Sequence, residues 1–542
     1  MNSSRTNKIN IKNWDKTLKL YVDWVANSDL RKYFSDEIKI NNFSLWWATN
    51  ITAKDNMINN KWYYDLKDCL FENKKIKSSK FKFYLIFFAR LLKNFITHCV
   101  WYSVIKILSF SRYKKIRRKN CFHTFDVNFL KKGDSFIDRC YGNAPFSNYK
   151  NDNFFLITTI KKRNFFSNFF KKKSIPCVNA AEYLSVFDVF NIYYKILISF
   201  FKLKIFLNKN KKIFFIKNVD CRNVLEPFLL MSFTGDIQYS IFNGLSVRNF
   251  LKCNKEVKLF ISYGEFNPGS RSLHFFVKDL VNPPKHIAIQ HGHANQNLGF
   301  FFHKKKEFTK NQLLRGSYYS PSPDFYLTQG NQYNKILNNY FPNETKIIGC
   351  LKYDIYNFQK NKKNTILKKI KFKKGVKNKK IILLCPSIGD ELVILDYLRQ
   401  SVNFNFRFIL SPHPVFKEKI IRKYLYELKD KCYLEVYNDV STIDLLSIAD
   451  LVICGFSTIA YEALFFGVQS IRIINSDNPH FFDLRDNLPV ADSPNSLKKI
   501  LNTGSFLKTK ATAVKKLKRN YFYKLDNKAY LRFWNFIKEQ KL

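Results

Sequence analysis

From residue 379 onward, short apolar runs alternate with helical stretches, and this alternation limits the fold more than any other feature of the chain. KKIILLCP leads into the loop SIGDE, and FRFILSPHP into the helical FKEKIIRKYLYELKD. CYLEVY precedes STIDLLSIAD, LVICGF precedes STIAYEALFFG, and QSIRII closes the series. Short continuous apolar runs bounded by turn formers read as strands covered on both faces. Strands that alternate with helices require parallel pairing and crossovers, which is a doubly wound sheet. A looser version of the same pattern lies upstream. FFLITTI (154–160), IFFIK (213–217), LFISY (259–263) and HIAIQ (286–290) read as buried strands, and 181–206 as a long apolar helix. The expectation is an α/β chain of two Rossmann-like domains with a mainly helical N-terminal extension. The expected segments are the extension over 1–119, the first domain over 120–345, a basic linker over 346–378, and the second domain with C-terminal helices over 379–542.

A chain of 542 residues, 46% of them apolar, has enough material for two cores. Its 56 Phe and 30 Tyr reflect compositional drift as much as design, so the charge is more informative. A formal net charge of +50 favours nucleic acid, anionic lipid or phosphorylated substrates. The basic residues form no single stripe. They come in short runs at Lys114–Lys119, Lys161–Arg163, Lys171–Lys173, Lys204–Lys212 and Lys360–Lys380, mostly beside apolar residues. With no zinc-finger or RNA-recognition signature, this argues against sequence-specific nucleic-acid binding. Eleven cysteines lack CxxC or zinc spacing, and the polar start MNSSRTNKIN has no leader-like apolar stretch, so a reducing cytoplasm is expected.

The segment 83–110, FYLIFFARLLKNFITHCVWYSVIKILSF, is long enough to span a bilayer but is interrupted by Arg90, Lys93, His98 and Lys106. Charges at such regular depth point to a helix lying in the interface, with a buried helix and a spanning helix as the alternatives. The following SRYKKIRRKN suits anionic headgroups. The expected location is the cytoplasm, peripheral on the inner face of the plasma membrane.

In open parallel sheets, ligands gather at the carboxyl ends of the strands. Three second-domain loops carry phosphate-binding character there. In Leu410-Ser411-Pro412-His413-Pro414 the flanking prolines aim the His413 imidazole rigidly. In Gly455-Phe456-Ser457-Thr458-Ile459-Ala460-Tyr461-Glu462, Ser457 and Thr458 cap a helix start that attracts anions, and Glu462 sits one turn on, placed for ribose hydroxyls. In Ser387-Ile388-Gly389-Asp390-Glu391, a short loop allows Ser387 and Gly389 to approach a nucleotide or sugar. In the first domain, Glu265 in YGEFNP and His291 in QHGH both follow strands. A carboxylate and an imidazole there are what a hydroxyl acceptor needs for deprotonation. Bland readings stand beside these: a strand-exit turn for His413, a plain cap for Ser457, a helix-start acid for Glu265, and a satisfied core histidine for His291.

At these residues the chain resembles the GT-B superfamily, in which two Rossmann-like domains face each other across a cleft and nucleotide binds mainly to the second. STIDLLSIADLVICGFSTIAYEALFFGVQSIRI is similar to the donor-binding signature of such enzymes. Together with LSPHP it resembles motifs of bacterial sialyltransferases, Kdo transferases and CDP-glycerol glycerophosphotransferases. YGEFNP, IAIQHGHA and NFSLWWATNITAKD resemble surface-carbohydrate biosynthesis proteins of the capsule and lipopolysaccharide type. The resemblance implies His413, Ser457 and Thr458 at the donor phosphate, Glu462 at ribose, Glu265 as acceptor base and His291 lining the acceptor side. A single Glu265 after Gly264, in place of an acidic pair before glycine, argues against a sialyl donor.

The expected activity is metal-independent and cofactor-free transfer of a sugar from a nucleotide-sugar donor to a surface polysaccharide or lipid-linked saccharide acceptor. The alternatives are a CDP-glycerol-type polyol-phosphate transferase, a non-hydrolysing nucleotide-sugar 2-epimerase, and a degenerate, non-catalytic membrane scaffold.

Overall fold

The computed structural model describes residues 11–55, 61–72, 74, 80–109, 116–132, 135–147, 150–158, 176–292, 299–355, 363–370, 379–387, 390–402, 405–412, 418–437, 440–455, 457–474, 488–503 and 511–542. Two compact units emerge: one gathers Lys16–Ala294, Leu298–Lys352 and Lys528–Leu542, and the other is chiefly Tyr353–Asn527.

The first unit is built on seven parallel strands: β1 (Asn120–Phe125), β2 (Asn153–Thr158), β3 (Cys177–Asn179), β4 (Leu259–Tyr263), β5 (Lys285–Ile289), β6 (Phe325–Thr328) and β7 (Glu344–Ile347). Across the sheet they stand β7-β6-β5-β4-β1-β2-β3. The winding therefore reverses between β1 and β4, and at such a switch point two crossovers diverge and leave a crevice. Side chains alternate between two layers, as a pleated strand requires. Phe122, Phe155, Ile261 and Ile287 belong to one core. Their sequence neighbours Cys121, Phe154 and Phe260 belong to the other. Burial on both faces is why these strands read as unbroken apolar runs.

The second unit repeats the scheme with β8 (Ile381–Cys385), β9 (Arg407–Leu410), β10 (Tyr433–Val436), β11 (Leu451–Cys454), β12 (Gln469–Ile473) and β13 (Val490–Ala491). All pairs are parallel, in the order β10-β9-β8-β11-β12-β13, so the switch point lies between β8 and β11. The chain thus has the expected fold class: two Rossmann-like α/β domains preceded by helices, among them Ile11–Asn27, Asp29–Glu37 and Lys61–Glu72.

Several local expectations change. IFFIK gives no sheet strand: Phe215–Ile216 pairs with Val219–Asp220 in a small hairpin, because Lys217 and Asn218 adopt left-handed backbone angles and turn the chain at once. The basic stretch 346–378 is not a plain linker. It holds the end of β7, the turn Leu351–Ile355 and the helix Lys363–Lys369, with Leu351, Tyr353, Ile366 and Ile370 buried. The C-terminal boundary moves as well. Lys528–Leu542 belongs with the first unit, where Phe533, Trp534, Phe536 and Ile537 of the helix Ala529–Glu539 enter the core around Phe122 and Ile261.

The early NFSLWWATNITAKD segment is part of the first unit's interior. Trp46 and Trp47 are fully buried, and Trp47 Nε1 donates to the Ser317 carbonyl at 3.0 Å. Lys54, also fully buried, reaches Glu307 at 2.8 Å and His303 Nδ1 at 3.0 Å. Burial lowers the Lys54 pKa to about 8 against the opposing pull of Glu307. A pair this deep holds only because each charge is hydrogen-bonded.

Candidate functional site

In the first unit, β4 runs out through Gly264, whose φ of +123° lies in the region that favours glycine. A Cβ there would meet Ser270 Oγ at 2.5 Å, so the turn has no room for a side chain. Asn267 then caps the helix Pro268–Lys278 by accepting from Ser270 N at 2.9 Å, with proline at the helix start. This turn points Glu265 at the exit of the neighbouring β5. Its carboxylate accepts from the backbone N–H of His291 at 3.2 Å and of Gly292 at 2.9 Å. Glu265 is buried, and that burial raises its pKa against the pull of these N–H groups.

The structure therefore brings Glu265 and His291 together, but through the main chain. The imidazole of His291 lies over the ring of Tyr263, with centroids 5.4 Å apart and planes 19° apart, while the residue as a whole is exposed. The protein packed around the ring, and then the charges of Arg139 and Lys352, push its pKa down, so it is neutral at pH 7. A neutral, accessible imidazole can accept a proton, and the two nearby cations favour an anionic ligand.

Beneath Tyr263 is a polar cluster that sequence reasoning missed. Tyr263 Oη accepts from Phe125 N at 3.1 Å and also meets Thr124 and Asn128. Thr124 in turn donates to Asp138, whose other oxygen accepts from Cys140 N at 2.7 Å and Tyr141 N at 3.1 Å. Asp138 is fully buried, and burial drives its pKa up to about 6. Its only sequence trace is an ordinary polar loop between two strands.

In the second unit, Ser387 leaves β8 and Gly455 leaves β11, on the two sides of the switch point. Asp390 ties these exits together. One carboxylate oxygen accepts from Ser387 N at 2.6 Å, and the carboxylate occupies the space where a side chain on Gly455 would stand. Ser457 Oγ accepts from Ile459 N at 3.4 Å, a long cap. The helix it opens, Ile459–Glu462, has four residues and runs on as the 3-10 turn Ala463–Phe466, so it is shorter than the sequence pattern implies. Thr458 is exposed, and its hydroxyl donates to Glu462 Oε1 at 3.2 Å, which Tyr353 Oη also reaches at 3.0 Å. Glu462 is thus buried and engaged behind the Ser-Thr turn. Burial, and then the charges of Cys454, Glu462 and Asp390, push the Cys385 thiol up. At the end of β9, Ser411 Oγ meets Thr442 Oγ1 at 2.6 Å. Gly389 and His413 lie outside the described residues. Among the described residues, no three His, Cys, Asp or Glu side chains are grouped to hold a metal ion.

With this geometry in place, comparison with known proteins adds the following. Residues 274–467 match the family described as CDP-Glycerol:Poly(glycerophosphate) glycerophosphotransferase. The wall teichoic acid polymerase TagF is similar in structure at 13% identity and a TM-score of 0.44, covering 84% of this chain and 98% of that one. UDP-GlcNAc 2-epimerase from Neisseria meningitidis bound to UDP-GlcNAc follows at 11% identity and a TM-score of 0.42, with 78% and 100% covered. CalG4, the calicheamicin glycosyltransferase, gives 11% identity and a TM-score of 0.43, with 78% and 98% covered. No curated protein matches. The chain thus carries two doubly wound domains and, from the first unit into the second, a stretch similar to the glycerophosphotransferases.

Proposed function

We propose that the protein moves a nucleotide-activated group to a hydroxyl acceptor, and that the group is a polyol phosphate carried on CDP. One observation carries this reading: the glycerophosphotransferase match spans the strand exits that hold His291, Ser387, Ser457 and Glu462. The acceptor oxygen attacks the polyol-bearing phosphorus, a P–O bond forms, the bridging P–O bond of the diphosphate breaks, and CMP leaves. His291 takes the hydroxyl proton, since the residue is exposed whereas Glu265 is buried and holds the loop through two N–H groups. This assignment exchanges the roles expected from sequence, where Glu265 was the base. On the donor side, His413, Ser457 and Thr458 would meet the phosphates, and Ser387 and Gly389 the remainder of the donor. Buried Glu462 and Asp390 hold the two loop exits in place. Stabilising the departing phosphate through such fixed donors is the larger part of catalysis in transfers of this kind. All eleven cysteines are free thiols, which supports a cytoplasmic site of action.

Transfer of a sugar from a nucleotide-sugar donor is the second reading, favoured by the Ser-Thr turn and the strand-helix pattern around it. Purified protein incubated with CDP-glycerol and a panel of nucleotide sugars separates the two by which donor releases nucleotide and raises the melting temperature. The His291→Asn variant is expected to lose about 10²–10⁴-fold in kcat with an unchanged melting temperature. If no donor registers in either assay, the transferase reading fails.

A further inference from the structure

A cavity of the first unit lies at the carboxyl ends of β2 and β3, where Thr158 and Ala180 leave the sheet, and is walled by the helices Lys80–Ser109 and Asp236–Cys253. The carboxyl ends of parallel strands are where such folds collect ligands. Its volume of about 220 Å³ is below the roughly 300–1,000 Å³ of a drug-sized pocket, which suits one ring-sized molecule. Trp101 and Tyr102 line it from the first helix, Tyr239 and Phe242 from the second. Tyr102 and Phe242 are buried and pack on each other at 5.5 Å. Tyr239 is 42% exposed and so marks the mouth. A Cβ on Gly269, at the start of the helix Pro268–Lys278, would come within 3.3 Å of the Tyr239 ring, so the mouth adjoins the turn that carries Glu265.

The polar side of the cavity is a relay. Thr158 Oγ1 meets His123 Nε2 at 2.9 Å and donates to Asn243 Oδ1 at 2.7 Å. That bond fixes the amide and leaves Asn243 Nδ2, on a residue only 4% exposed, without a partner. A buried donor in that state calls for an acceptor oxygen. Among the described residues, no Asp, Glu, Lys or Arg lines the cavity, although the chain carries a net charge of +50. A phosphate or carboxylate would enter with no counter-charge, and an apolar chain would leave the Asn243 amide unpaired. A sugar ring meets both demands, because its C–H face packs on aromatic rings and its hydroxyl oxygens accept from an amide.

We propose that this cavity holds one neutral sugar ring of the acceptor, stacked on Trp101 and Tyr239 with a hydroxyl oxygen on Asn243 Nδ2. Naming the ring as the acceptor's rests on the transferase reading, whereas recognition of a sugar rests on the cavity alone.

The test is a titration of the full-length protein, without donor, followed by tryptophan fluorescence. The probes are the methyl glycosides of glucose, galactose, mannose and N-acetylglucosamine, with glycerol 3-phosphate and dodecanol beside them. At least one glycoside is expected to give a saturable change that Trp101→Phe abolishes. Tyr239→Ala, at an exposed position, should raise the Kd of that glycoside about tenfold, and Asn243→Leu should do the same. Circular dichroism shows whether each variant is folded, and Tyr239→Ala carries the test if Asn243→Leu is not. The proposal is overturned if no glycoside gives a saturable change or if the folded variants bind like the parent. It is equally overturned if glycerol 3-phosphate or dodecanol produces the Trp101-dependent change instead. The donor-induced melting shift is read separately. A glycoside that binds with no donor response keeps the sugar site and sinks the transferase reading, with the acceptor label; a donor response with no glycoside bound sinks this inference alone.

Discussion

At residue scale the candidate site of the first unit rests on one buried acid, Asp138, set behind Tyr263. Asp138 holds Thr124, Thr124 meets the Tyr263 hydroxyl, and the Tyr263 ring supports His291. Burial raises the Asp138 pKa from 3.8 to about 6, so between those values the folded state binds more protons than the unfolded one. Its contribution is therefore fully present below about pH 4 and is lost as pH rises through about 6. At pH 7 the buried carboxylate opposes folding. Asp138→Asn keeps an oxygen for the Cys140 and Tyr141 N–H groups and should be more stable than the parent at pH 7 by about 1–2 kcal/mol. The slope of stability between pH 4.5 and 7, read from urea midpoints, should flatten. Glu265 and His291 were legible because each ends an apolar strand. Asp138 was not, since nothing local distinguishes a buried aspartate from a solvated one.

At the scale of elements, the strands of the second unit stand where their apolar runs lie, and LFISY coincides with β4. Patterns failed where length or docking decided the outcome. IFFIK is as apolar as a core strand, yet two left-handed residues fold it back after Ile216. The amphipathic C-terminal helix Ala529–Glu539 would suit either sheet, and packing assigns it to the first. Trp534 is nearly buried there, and its Nε1 donates to the Ala144 carbonyl at 2.9 Å. Trp534→Ala should cost about 3–5 kcal/mol. Hydrogen exchange should show lost protection at Phe122 and Ile261 while Ile382 and Ile453 keep theirs, because the cavity opens in the first core alone.

At the scale of the whole molecule, a net charge of +50 attracts anions, and the donor proposed here is one. Raising salt from about 0.05 M to about 0.5 M should lower kcat/KM about tenfold while kcat changes little, since screening acts on encounter rather than on chemistry. Steady-state kinetics across that range checks the split. By itself the sequence determined the two wound sheets and the loops at their strand ends, because strand burial and helix spacing are written in neighbouring residues. Only the tertiary structure decided that Asp138 lies beneath Tyr263, that Val186–Lys209 runs beside Lys80–Ser109, and that the last helix returns to the first sheet. Those are contacts between distant segments whose local patterns fit more than one partner, and packing selects among them.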